Sequence, residues 1–98
     1  MTLRLVFRPQ AEAELIEARD WYESQRAGLG QVFTDTVDQA VASIIASPLA
    51  HPRVHGETRR LVVRRFPFAI YFRVLTDELV VLAVMHGRQQ PQRWRERR

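Results

Sequence analysis

The chain has no cysteine and no lysine. Without cysteine there is neither a disulfide framework nor a thiolate metal site. No stretch approaches the roughly 20 consecutive apolar residues that a membrane span needs. The early apolar run in MTLRLVFRPQ is interrupted by arginines, so it does not read as a signal peptide. There is no glycine-rich phosphate loop, no nucleophilic serine–histidine pattern and no pair of catalytic carboxylates. We therefore expect no cofactor, no membrane partner and a cytoplasmic location. What is present suits a folded globule: 46% of the residues are apolar, which argues against disorder. A length of 98 residues suits one domain spanning 1–98, with a charged tail at about 95–98.

All fifteen basic residues are arginine, and they are unevenly placed. Residues 1–50 hold four Arg against seven Asp and Glu (4 − 7 = −3), while residues 51–98 hold eleven against four (11 − 4 = +7). Codon usage in a GC-rich genome accounts for the missing lysines but not for this asymmetry. A basic half implies a positive side on the fold, which attracts phosphate backbones or acidic protein segments by long-range steering.

Leu3–Phe7 suits a first strand. Pro9 fits a first helical position, where its missing N–H costs nothing, and Glu12 and Glu14 fall in the first turns, where they complement the helix dipole. Ala11, Leu15, Ala18 and Tyr22 recur at helical spacing through about Ser24. After Gly28 and Gly30 a second helix is expected from about Gln31, with Phe33, Val37, Ala40, Val41, Ile44 and Ile45 on one face and an end at Ser47 before Pro48. Residues 48–58, with two prolines and a glycine, read as a loop. Strands follow at about Arg59–Arg65, Ala69–Val74 and Leu79–His86. The last is apolar on both faces, as a covered central strand is. Short links favour an antiparallel meander.

The expected fold class is α+β: a two-layer β-α-α-β-β-β domain with a helix hairpin packed on one face of a mainly antiparallel four-stranded sheet. The opposite face carries apolar groups beside arginines, a combination that favours a partner across it. The last strand leaves the sheet at His86-Gly87-Arg88, followed by Pro91 and Trp94. A strand end that holds basic and aromatic groups on a rigid sheet is a natural place for a binding or catalytic site. Trp21 and Tyr22 are adjacent on a helix, about 100° apart, so both cannot face the core centre; Trp21 is the candidate surface anchor. His51 and His55 have i, i+4 spacing, but Pro52 and Gly56 argue against a helix there, and no metal site is expected.

These pieces also resemble the RelE/ParE superfamily, the toxins of type II toxin–antitoxin pairs, over about residues 3–97. The matching pieces are Arg8-Pro9 with the helix opening Gln-Ala-Glu-Ala-Glu-Leu, Trp21-Tyr22, Arg59-Arg60-Leu61, the Phe66–Phe72 strand, and Val84–Arg88 leading to Pro91 and Trp94. The ensemble leans toward the ParE-like branch. The resemblance implies a cytoplasmic toxin in a toxin–antitoxin hetero-oligomer. It is held by a cognate antitoxin and reaches operator DNA only through that antitoxin. ParE-like members are associated with poisoning DNA gyrase; RelE-like members cut mRNA on the ribosome. One departure matters: where the family often has an arginine followed by an acidic residue before the proline, this chain has Gln89 and Gln90, with Arg88 one place earlier.

The favoured expectation is a gyrase inhibitor that performs no chemistry itself. Its target-binding residues would be Arg88, Arg93 and Trp94, and its antitoxin-binding residues Trp21, Tyr71 and Arg73. The alternative is a metal-independent, ribosome-dependent endoribonuclease. That reading needs a base, an acid and cations on the phosphate, and would draw on Arg65, Arg73, His86 and Arg88 if they converge on the open sheet face. A third possibility, a non-toxic basic adaptor binding nucleic acid through residues 51–98, also stays open. For Trp94 the competing possibility is that it packs back onto the sheet.

Overall fold

The computed structural model describes residues 3–87, 92–95 and 97, and for Gln92 and Arg93 the backbone alone. Strand β1 (Arg4–Phe7) leads into helix α1 (Pro9–Gln25), a tight turn and helix α2 (Leu29–Ala46). A single 3-10 turn (Pro48–Ala50) is followed by β2 (Arg53–His55), β3 (Thr58–Val62), β4 (Phe68–Val74), β5 (Glu78–His86) and the short helix α3 (Gln92–Arg95). The strands form one sheet in the order β1-β5-β4-β3-β2; β1 and β5 are parallel and every other neighbour is antiparallel.

The sheet therefore has five strands, not the expected four. The extra strand, β2, lies within residues 48–58, which composition assigns to a loop. It is three residues long and irregularly paired with β3. Pro52 and Gly56 flank it closely, and a segment this short has no periodicity to detect. Arg59 Nη1 donates to the carbonyls of His51 (2.6 Å) and Leu49 (3.3 Å), which ties the preceding turn to β3.

The helices follow their expected signals. Pro9 opens α1, and Ser47, before Pro48, closes α2. Phe33, Val37, Val41 and Ile44 are buried along α2. They meet Ile70, Phe72, Leu79, Val81 and Val84 of the sheet in the main core. Tyr22, Phe33, Phe66 and Phe68 close one end of that core, with ring centroids 4.8–6.1 Å apart.

The hairpin turn is built by Glu23. Its carboxylate accepts the N–H of Gly28 (2.9 Å) and that of Gly30 (3.0 Å), so the end of α1 caps the start of α2. No side chain at Gly28 itself does so. A negative charge there also suits the helix N-terminus. Gly28 adopts φ 89°, a left-handed conformation that glycine takes without strain. Gly30 lets the two helices touch: a Cβ on it would lie 2.8 Å from the Arg19 carbonyl.

In β5, Tyr71 of β4 pairs with Ala83 and Phe72 pairs with Val81, so Leu82 is an extra residue. This bulge resets the alternation. Val81 and Val84 both join the helix-side core, while Ala83 and Met85 join a smaller cluster on the opposite face. Leu79–Met85 are all buried, as expected of a central strand.

Two substitutions test the hairpin. Gly30→Ala must push the helices apart and is expected to cost about 1–3 kcal/mol. Glu23→Ala uncaps α2 and is expected to cost about 1–2 kcal/mol. Urea unfolding midpoints measure both; a stability unchanged in either variant refutes the role given to that residue.

Candidate functional site

Glu14, Glu17, Ala18, Trp21 and Tyr22 lie at helical spacing along one side of α1. They form one wall of an open groove of about 570 Å³. Pro67 and Phe68 at the start of β4, with Val84 and His86 at the end of β5, form the other wall. Phe68 and His86 are paired across the ladder, their rings 5.6 Å apart. The groove exists because β1 is short. Its pairing with β5 stops at Val81, and Arg8 N–H donates to the Val81 carbonyl as the chain turns into α1. Among the described residues, the rest of β5 has no strand beside it on that edge.

The groove is apolar inside and acidic at its rim. Burial pushes the Tyr22 phenol up from its ordinary pKa. Trp21 stands edge-on to Tyr22 at 5.0 Å and is 57% exposed. Glu17 is exposed and makes no ion pair among the described residues.

The opposite sheet face is covered by α3. Trp94 stacks on Tyr71 with ring centroids 4.3 Å apart and planes 18° apart, and both are buried with Ala69, Ala83 and Met85. The Arg95 guanidinium lies over Trp94 at 5.7 Å. Arg97 lies at the bare edge of β5. Arg97 Nη1 donates to Glu14 Oε1 (2.8 Å) and to the carbonyl of the bulge residue Leu82 (3.2 Å). The same Glu14 oxygen accepts the Val84 N–H (3.1 Å). One ion pair thus satisfies two edge groups that β1 leaves without a strand partner.

The expected nuclease cluster does not assemble. His86 faces the helix-side groove beside Phe68, whereas Arg73 shares the opposite face with Tyr71 by strand alternation. They also sit at opposite ends of β4: His86 pairs with Phe68 and Arg73 sits opposite Val80. Arg65 is exposed in the β3–β4 link, at φ 71°. Arg88 lies outside the described residues. The strand pleat thus separates Arg73 from His86, two of the members that had to converge on one face.

The antitoxin-binding set is likewise divided. Trp21 is exposed on the groove, but Tyr71 is covered by Trp94 on the other face. Arg73 is half-buried, and its Nε is a buried nitrogen without an acceptor among the described residues. Of the target-binding set, Trp94 is packed onto the sheet with 4% exposure, Arg88 lies outside the described residues, and Arg93 is described only as backbone in α3. For Trp94 the competing possibility, packing back onto the sheet, is the one observed, and within the charged tail expected at about 95–98 Arg97 docks on α1. His51 and His55 face rings, Phe72 at 5.8 Å and Trp94 at 6.2 Å, and no group of three or more metal-ligating side chains occurs among the described residues. Sequence reasoning missed Glu14 and Arg97 as partners. They are 83 residues apart, and no local pattern links them.

Residues 5–91 match the family described as ParE toxin of type II toxin-antitoxin system, parDE. No curated protein matches in sequence. Among solved structures, the chain resembles one titled "Chromosomal ParDE TA system from P. aeruginosa". The TM-score is 0.77 at 20% identity, over 87% of this chain and 96% of the other. At that identity the likeness speaks for the fold: two helices on a five-stranded, mostly antiparallel sheet.

The two tryptophans are expected to behave oppositely. Trp94→Ala empties a buried stack and should cost about 3 kcal/mol or more, while Trp21→Ala should change stability by less than about 0.5 kcal/mol. Chemical denaturation reads both, and equal losses contradict the placement. For Glu14→Gln and Arg97→Gln, a double-mutant cycle should give a coupling of about 0.5–1 kcal/mol, modest because the pair is partly solvated.

Proposed function

Because the chain belongs to the ParE toxin family of type II toxin–antitoxin systems, we propose that it inhibits DNA gyrase and is neutralised by a cognate antitoxin. One observation favours inhibition over RNA cleavage. Arg73 and His86, the intended cation and proton-transfer group, lie on opposite faces of the sheet. General acid–base catalysis needs its groups within hydrogen-bond reach of one reacting centre, and these two cannot share a phosphate. Inhibition requires only a surface that holds the target in a damaging state.

That surface lies on the C-terminal half, whose own net charge is +7 (11 − 4). Arg60, Arg64, Arg65 and Arg95 are exposed there. Trp94 serves this surface indirectly, as the buried base on which Arg95 rests. Arg88 and Arg93 complete the target-binding set in this proposal. The antitoxin engages the groove beside Trp21, a large ring left 57% exposed at the mouth of an apolar recess. Aromatic side chains in such positions are favoured interface anchors. The proposed assembly is a toxin–antitoxin hetero-oligomer that meets operator DNA only through the antitoxin.

Two measurements check the target. Purified protein added to gyrase and relaxed plasmid should block supercoiling and trap cleaved DNA, and Arg95→Ala should weaken the effect by about tenfold or less, as loss of one partly solvated cation does. In cells induced without antitoxin, DNA synthesis should fail before protein synthesis. Protein synthesis failing first, with mRNA cut, would overturn the gyrase reading in favour of the endoribonuclease.

A further inference from the structure

The groove on α1 has two carboxylates at its rim, and the molecule itself shows what one of them takes. Glu14 holds the guanidinium of Arg97, carried by a segment that crosses the bare edge of β5. Glu17 is one helical turn further along the same wall, is exposed, and has no such partner among the described residues. Trp21 follows at i+4 from Glu17, so its ring and that carboxylate neighbour each other on the helix surface. Below them lie the apolar groups of Tyr22 and Phe68.

A carboxylate beside an exposed indole, above an apolar floor, has the chemistry of a receptor for an alkyl chain ending in a cation. The stem packs on the floor, the charge meets Glu17, and the indole face adds a cation–π attraction. An acidic segment would meet repulsion from the same rim. The +7 half of the chain draws acidic partners elsewhere; this groove selects the opposite sign. We infer that the groove seats an amphipathic segment of the antitoxin that places an apolar side chain against Tyr22 and Phe68 and an arginine or lysine against Glu17 and Trp21. The inference rests on the reading that the chain is neutralised by an antitoxin, and names the chemistry of the segment that does so.

Two helix-stabilised peptides serve as probes, alike in a leucine anchor and differing only in arginine or glutamate one turn away. Titration of each peptide, carrying a fluorescent label, against the full chain, followed by anisotropy, should show the arginine peptide binding about tenfold or more tighter than the glutamate peptide. Glu17→Lys should reverse that preference. Trp21→Ala should abolish binding of both peptides while the unfolding midpoint stays unchanged. In cells, co-expressed antitoxin should neutralise the wild type but not Glu17→Lys, whose own growth arrest without antitoxin shows it to be still toxic. Equal affinity for the two peptides, indifference to Glu17→Lys, or full neutralisation of Glu17→Lys and Trp21→Ala by an antitoxin that also neutralises the wild type overturns the groove assignment and leaves the antitoxin reading standing. A wild type that its antitoxin fails to neutralise overturns the antitoxin reading itself, and this occupant with it.

Discussion

Strand β5 must be covered on both faces and along both edges, and nearly everything else in the molecule answers to that requirement. Leu79, Val80, Val81, Leu82, Val84 and Met85 are each at most 1% exposed. At about 1.5–3 kcal/mol for each such side chain, their burial matches or exceeds the whole net stability of a domain, about 5–15 kcal/mol. The helix hairpin covers one face, which fixes the need for the close approach at Gly30 and the cap from Glu23. Among the described residues the other face has no second helical layer. A single tryptophan on a one-turn helix covers it, and the small Ala69 and Ala83 leave room for Trp94 to lie flat on Tyr71.

The edges are met less completely. β4 runs the full length of β5, but β1 pairs with only its first half. The remaining edge groups are held by side chains: Glu14 takes the Val84 N–H and Arg97 takes the Leu82 carbonyl. Side-chain capping satisfies those polar groups while blunting the edge, since a paired charge there discourages another chain from adding as a strand. It also leaves open the space that a longer β1 would fill. The groove at Trp21 is therefore a direct consequence of a four-residue first strand.

Much of this was legible from residues alone, for definite reasons. Helices announce themselves through period and punctuation, and Pro9 and Pro48 mark the start of α1 and the end of α2 where the structure has them. β5 could be identified as central because its run is apolar at consecutive positions. What escaped was short or long-range. β2 is too short to show alternation, and the Glu14–Arg97 pair joins opposite ends of the chain. The bulge at Leu82 escaped for a third reason. In a strand that is apolar throughout, an inserted residue disturbs no visible pattern, yet it decides which side chains face the helices. The candidate site suffered most, because a list of arginines and a histidine gives no strand parity. Arg73 and His86 are close in kind but separated by the pleat.

Charge gives the two surfaces opposite characters, and the geometry explains why they can coexist in so small a chain. The acidic half is mostly helix and forms one wall of the groove, while the basic half, mostly sheet and tail, forms the other. Where the halves meet, Glu14 belongs to both, lining the groove and holding Arg97. Were the tail's arginines all solvated, their attraction for α1 would be spread over several weak exposed pairs. Instead one pair, with each side chain only 16–17% exposed, holds Arg97 against α1 at the edge of β5. The other described tail cation, Arg95, is left outward over Trp94. A chain that carries a basic surface and an aromatic groove with carboxylates on its rim needs a boundary that keeps its own charges from collapsing onto each other. The buried sheet supplies that boundary, and the Glu14–Arg97 pair is the one crossing described between α1 and the tail.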